Sequence, residues 1–408
     1  MLVSESDNGS DHVSSATSAA TKTLHNQARW AALFIILPVL ASACSFLYFD
    51  RFTLTTGLAL LPGVGVAIHL TLTLWRNLAT NHSTHEPALL FPTLGAANWL
   101  TLARASGVVA LACLLPVASS QSSAIIHQAS ITASLVYLMV ALADLGDGLI
   151  ARKSGRETVL GKILDIETDA AGLMVAALVA VALDRLPAFY FVVGMIYYFF
   201  IAGVYLRRRL NLPLVELQPR PYARITAGFQ MGFLVVVLMP IFSPQFYTLA
   251  ALLFMAPLLL GFVRDWLVVS GRLPSDKNQH TRLDELAVTL TRVFAAPAVR
   301  LLVLAAWMYH LAVSWPEWSF NFWILGVSGC CIMAALGLLG RSASLTLIIL
   351  LGSIFSPYEP STAILLLFCG AVLLLLGGTG SWSIWAPEED ILYRRNRDER
   401  SSEQFSSR

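Results

Sequence analysis

The sequence predicts an all-α polytopic membrane protein with about twelve transmembrane helices. Three observations predict it. Hydrophobic residues fill 56% of the 408 positions and charged residues only 13%, about half the charged share of a soluble domain. Apolar runs of about 20 residues, the length a bilayer requires, recur along the whole chain. Lys and Arg crowd into one set of alternate loops, as they do on the cytoplasmic side of multi-pass proteins.

In chain order the runs fall at about 30–49, 53–75, 98–118, 125–146, 164–183, 187–206, 225–243, 246–268, 293–312, 320–340, 343–356 and 361–380. The eleventh is short enough to be re-entrant. Before them, residues 1–29 are polar and Ser/Thr-rich. That stretch lacks the basic start and apolar core of a cleavable signal and reads as a disordered cytoplasmic tail. The spans divide into three groups: two helices and a loop at 30–97, six helices at 98–272, and four at 273–386. A charged cytoplasmic tail, 387–408, follows. The basic loops carry Arg76, then Lys153, Arg156 and Lys162, then Arg207, Arg208, Arg209, Arg220 and Arg224. They continue with Arg264, Arg272, Lys277, Arg282, Arg292 and Arg341, and both tails are basic, whereas the opposite loops hold only Arg51 and Arg185. This places both termini in the cytoplasm, in agreement with an even number of spans, and fits a plasma or inner membrane of bacterial type. A net charge of +2 gives no ground for a nucleic-acid partner. Cys44, Cys113, Cys330, Cys331 and Cys369 all sit in apolar runs without a CxxC pair, so they read as small buried hydrophobes.

One segment breaks the apolar pattern. "DLGDGLIARKSGRETVLGKILDIETD", residues 144–169, holds four Asp between two spans. Asp144 and Asp147 are three apart, with Gly148, Ala151 and Arg152 on the same helical face; Gly161, Asp165 and Asp169 are four apart and share a face of the next helix. Two acidic faces thus meet near the cytoplasmic end. Gly148, Ala151 and Gly161 leave room for a ligand or for close helix approach. Each carboxylate in a bilayer costs on the order of 2.5–3.5 kcal/mol, and mutual repulsion adds to that. Divalent metal resolves the conflict, since Mg²⁺ is held by carboxylates together with substrate phosphates, and two such ions clamp an in-line displacement at phosphorus. A solvated loop with accidental spacing is the bland alternative. At roughly 5–8% usage per residue type, the eight positions match by chance on the order of 10⁻¹⁰ per start point. A cation or proton pathway of a transporter is the other alternative. Twelve spans favour it, but clustering at one face, away from the midplane, does not.

The pattern D-x2-D-G-x2-A-R-x8-G-x3-D-x3-D resembles the signature of the CDP-alcohol phosphotransferases, membrane enzymes of phospholipid synthesis. Asp144, Asp147, Gly148, Ala151, Arg152, Gly161, Asp165 and Asp169 fulfil it without departure. "NWLTLAR" adds Asn98, Thr101 and Arg104, similar to the N-x2-T-x2-R that opens the first helix in that family. The resemblance implies a six-helix membrane bundle over about 98–272 and transfer of a substituted phosphate from a CDP-linked lipid to an alcohol, with release of CMP. It implies two Mg²⁺ ions, with Mn²⁺ as the other candidate, held by Asp144, Asp147 and Asp165 with Asp169 nearby. It makes Asp169 the base for the acceptor hydroxyl. It assigns the CDP moiety to Gly148, Ala151, Arg152, Gly161, Asn98 and Thr101, and the acceptor to Arg104, Arg224, Thr226 and Arg264. CDP-diacylglycerol is the expected donor, because acyl chains can enter a site at membrane depth from the side. "PRPYARITAGFQMG" is similar to a stretch of phosphatidylglycerophosphate synthases, with Arg224, Thr226 and Gln230 at its Lys, Thr and Gln positions. The implied acceptor is glycerol 3-phosphate. Inositol phosphate, or a CDP-choline or CDP-ethanolamine donor with diacylglycerol, remain the alternatives.

In the last four helices, "VTLTRVFAAP" echoes "LTLARASGVV", but residues 293–380 contain no Asp, which argues against a second catalytic unit. Those helices read as a decayed repeat, a packing partner or a surface for a homodimer.

Overall fold

The computed structural model describes residues 8–49, 53–84, 91–120, 122–217, 221–273, 289–314 and 322–389. Among them are twelve α-helices and no β-strand. They are α1 (Asn8–Tyr48), α2 (Leu54–Arg76), α3 (Ala96–Ala112), α4 (Ser123–Ser154), α5 (Val159–Ala182) and α6 (Phe191–Arg209). They continue with α7 (Pro221–Leu238), α8 (Pro244–Val269), α9 (Ala296–Val313), α10 (Phe322–Leu336), α11 (Gly340–Gly352) and α12 (Thr362–Gly377). The protein is an all-α polytopic membrane protein, and each of the twelve apolar runs falls on one of these helices.

Seven helical segments are long and apolar enough to cross a bilayer. Helix α5 has the length but carries Lys162, Asp165, Glu167 and Asp169 in its first half. Helix α11, the expected short span, has 13 residues, about 20 Å at the helical rise and less than the hydrocarbon thickness. The N-terminal segment differs from expectation. It is helical from Asn8, where a disordered tail to residue 29 was expected. Once the apolar turns of α1 exist, each further residue adds a hydrogen bond without a new nucleation cost. The charged tail from residue 390 onward lies outside the described residues.

The chain forms two compact units. One contains the helices up to Asp184 together with Leu234–Met239; the other contains the rest. The boundary at Asp184 falls inside the stretch 98–272 that the sequence suggested as one bundle, and the first unit includes the two extra N-terminal helices.

In the first unit α3 is central, packing against α1, α2, α4 and α5. It buries Leu102, Ala105, Val108, Val109 and Leu111 together with the polar Asn98, Thr101, Arg104 and Ser106. Small residues set the spacing. A Cβ at Gly107 would stand 2.8 Å from Val140 of α4, and one at Gly172 of α5 would stand 3.4 Å from Val108. Helix α4 turns Ala129, Ser130, Ala133, Ser134, Tyr137, Val140 and Asp147 inward, one stripe at helical spacing. Ser130 and Ser134 donate to the carbonyls of Leu238 and Val235 at 2.6 and 2.8 Å, so their hydroxyls are satisfied without water.

In the second unit, Gly203 of α6 seats Trp266 of α8, whose ring a Cβ would meet at 2.7 Å. Helix α9 follows a π-helical turn, Leu290–Ala295. Arg300 donates to the carbonyls of Ala334 and Ala335 in the last turn of α10. Arg341 does the same for Leu375 and Leu376 in α12, and also meets Glu389 at 3.3 Å. Each cation satisfies end carbonyls of a helix and complements its dipole. Arg341, expected as a loop charge, is 5% exposed and serves as a cap.

Candidate functional site

The motif segment folds into the end of one helix, a turn and the start of the next. Gly155 ends α4 in the left-handed region at φ +62°, a conformation that costs a glycine little. Its N–H and that of Arg156 return to the carbonyls of Arg152 and Ala151 at 3.3 and 3.2 Å. Thr158 then caps α5, its hydroxyl accepting from the Gly161 N–H at 2.9 Å. The turn is short, so Asp144 and Asp147 of α4 face Asp165 and Asp169 of α5 in the same unit. Carboxylate oxygens of Asp144, Asp147 and Asp165 lie within 4.8 Å of one another.

Arg104 of α3 enters this cluster. One of its terminal nitrogens pairs with Asp147 at 2.6 Å and Asp165 at 2.7 Å; the other pairs with Asp144 at 2.8 Å and with Asp169. Its side chain is 1% exposed, against 29% for Asp144, 8% for Asp147, 44% for Asp165 and 34% for Asp169. Thr101, one turn before Arg104, donates to Asp147 at 3.0 Å. Ionised, four carboxylates and one guanidinium leave three negative charges uncompensated. That excess at a membrane helix end calls for further cations, and clustered carboxylate oxygens are the hard donors that Mg²⁺ and Mn²⁺ take. The donor set therefore fits the divalent metal that the residues suggest.

The glycines have distinct environments. A Cβ at Gly161 would stand 2.6 Å from Oδ1 of Asn98 and 3.0 Å from the Thr158 hydroxyl, so Asn98 fills the space that Gly161 leaves. A Cβ at Gly148 would meet only the guanidinium of Arg152, at 3.3 Å. Arg152 is exposed and folds back along α4, and Ala151 is half-buried beside it. Asn98 is 4% exposed and donates to Thr158 at 3.3 Å.

The residues suggested for the acceptor fall in both units. Arg104 is the common partner of the four aspartates. Arg224, Thr226 and Arg264 belong to the second unit, with Arg224 exposed and the other two half-buried. Gln230 is fully buried, accepting from the Tyr190 hydroxyl and donating to the Phe254 carbonyl. Its amide is thus occupied in tying helices together.

Sequence reasoning missed the centrality of Arg104, whose position near a helix end suits a snorkelling anchor equally well. The available signal was charge balance: four aspartates on two facing helices need a nearby cation, and Arg104 is the Arg of the preceding helix. It also missed Asn81, which is 0% exposed and bonded to Asn98.

Residues 94–263, from just before α3 into α8, match the family model described as CDP-alcohol phosphatidyltransferase. No curated protein and no solved structure matches the chain.

Proposed function

We propose, on the match of residues 94–263 to the CDP-alcohol phosphatidyltransferase family model, that the protein moves a phosphatidyl group from CDP-diacylglycerol to a small phosphorylated alcohol, glycerol 3-phosphate first, and releases CMP. The observation that carries this reading is the convergence of Asp144, Asp147, Asp165 and Asp169 on the single cation of Arg104.

Asp144, Asp147 and Asp165 would hold divalent metal, two ions in this reading and Mg²⁺ before Mn²⁺, with Asp169 at the edge. When bound, the metal supplies positive charge that offsets the donor diphosphate and the CMP that leaves. The chain's own residues do the rest. Asp169 takes the proton of the acceptor hydroxyl as that oxygen forms its bond to the lipid-side phosphorus. The bond from that phosphorus to CMP breaks, and CMP departs with the electron pair. Arg152, always charged and forked, pairs with a donor phosphate. Gly148 and Ala151 keep the face of α4 low enough for the nucleotide. Thr101 orients Asp147 through its 3.0 Å hydrogen bond, and Asn98 sets the start of α5 through Gly161. Arg104 holds the four carboxylates within reach of one another. Arg224, Thr226 and Arg264 are candidates for the acceptor phosphate on the grounds of residue type and of the resemblance.

The active site faces the cytoplasm in this reading, as the excess of Lys and Arg in alternate loops supports. The experiment is a panel assay. Purified protein in nanodiscs receives CDP-diacylglycerol, Mg²⁺ and one alcohol at a time: glycerol 3-phosphate, inositol phosphate, inositol, serine or glycerol. CMP release with glycerol 3-phosphate above the others supports the acceptor. Release with a different alcohol replaces it, and no release with any alcohol or with diacylglycerol and a CDP-amino alcohol contradicts the transferase reading.

A further inference from the structure

The family match begins at residue 94, yet the loop that follows α2 is bonded into the motif. We infer that this loop is a positioning element of the transferase site. Asn81 and residues 82–84 hold the α4–α5 turn, and with it the start of α5, in the arrangement that donor binding needs. The inference rests on the proposed function.

The α4–α5 turn is gripped by backbone. Ser83 and Thr158 form an antiparallel bridge. The Thr84 N–H donates to the Glu157 carbonyl and the Val159 N–H to the His82 carbonyl, both at 3.1 Å. Val159 opens α5, so its N–H is one of the donors a helix leaves unsatisfied at its N-terminus. Here a carbonyl from outside the family segment accepts it. A reciprocal pair of backbone bonds fixes register, because a one-residue slip would break both.

Asn81 adds a side-chain path. Its Nδ2 donates to the carbonyls of Phe91 and Thr93 at 3.0 and 3.1 Å, and its Oδ1 accepts from Asn98 at 3.4 Å. Both donors and the acceptor are therefore engaged in a residue that is 0% exposed. Asn98 is the residue whose Oδ1 fills the space at Gly161. The path Asn81 to Asn98 to Gly161 thus runs from the N-terminal helices to a motif residue. From the other side, the Arg156 guanidinium lies 4.7 Å over the Phe91 ring and reaches the Thr93 carbonyl at 3.4 Å. Arg152 and Gly161 flank a turn that residues before 94 hold on two sides. A site residue is only as well placed as the shell that supports it.

The test compares four proteins in nanodiscs: wild type, Asn81→Ala, Thr84→Pro and Ser106→Ala. Thr84→Pro removes the donor to Glu157 without touching Asn81. Ser106 donates to the Phe34 carbonyl of α1 at 2.9 Å, so Ser106→Ala removes a bond between the same N-terminal helices and α3, away from the turn. The readouts are KM for CDP-diacylglycerol, kcat at saturating donor, and CDP affinity in Mg²⁺ by calorimetry. The expected result is a KM and a CDP dissociation constant raised about tenfold in Asn81→Ala and Thr84→Pro, the scale of one lost buried hydrogen bond. Their kcat stays within about twofold of wild type, since the reacting groups are untouched. Ser106→Ala matches wild type. If Asn81→Ala does not fold, Thr84→Pro decides. Folded variants with wild-type KM and CDP affinity overturn the inference and leave the transferase reading standing. An equal rise in all three variants also overturns it, as a general loss of packing. A wild-type protein that neither binds CDP nor releases CMP removes the reading on which the inference rests.

Discussion

Arg104 touches Asp144, Asp147, Asp165 and Asp169 at once, from a side chain 1% exposed. Its Nε is buried without a hydrogen-bond partner among the described residues, so the residue is placed for its terminal nitrogens alone. Charge removal there leaves four facing carboxylates with no internal cation. Arg104→Gln is expected to destabilise the metal-free protein by about 3 kcal/mol, the low end for breaking a buried ion pair because three of the aspartates are partly exposed. Mg²⁺ should narrow the gap, since an ion bound by the native carboxylates stabilises the fold by mass action. Thermal unfolding with EDTA and with excess Mg²⁺ checks it; an equal loss in both conditions would mean that Arg104 acts through packing and not charge.

At the scale of the element, two helices and one turn make the site, and the glycines in them are not equivalent. Gly161→Ala places a Cβ 2.6 Å from Asn98 and 3.0 Å from Thr158, both held by buried hydrogen bonds. Overpacking of that kind costs about 1–3 kcal/mol. Gly148→Ala meets only the flexible, exposed end of Arg152 at 3.3 Å. Thermal unfolding of the two variants should therefore rank Gly161→Ala well below Gly148→Ala, and the reverse order would contradict the packing described. The two acidic faces were legible in the sequence because helical spacing of three and four residues is a local property. The Asn81 loop was not. A bridge between residues 82–84 and 157–159 is a long-range pairing with no periodic signature, and the six residues 85–90 lie outside the described residues.

For the whole molecule, each apolar run falls on one of the twelve α-helices among the described residues, and seven helical segments have the length and apolarity to cross a bilayer. How they group was not legible. The first compact unit takes α1 and α2 together with α3, α4 and α5, which depends on which small-residue faces meet and not on where polar loops fall. The same unit explains why the N-terminal helices accompany the motif: α3 is packed by α1 and α2 as well as by α4 and α5. Orientation is the property of the whole molecule that the charge pattern predicts. Ser154, exposed in the last turn of α4, is a suitable reporter. In a cysteine-free background, Ser154→Cys should react with a membrane-impermeant maleimide only after cells are permeabilised. Labelling of intact cells would place the motif on the outer side.

The central claim is that the four aspartates perform phosphatidyl transfer from a CDP-linked lipid. The most direct measurement is CMP release from CDP-diacylglycerol by wild type and Asp169→Asn, with donor binding measured on the same samples. The account predicts metal- and acceptor-dependent CMP release by wild type, a fall of at least about 100-fold in Asp169→Asn, the scale of a lost general base, and donor affinity close to wild type in that variant. Wild-type turnover by Asp169→Asn would contradict it.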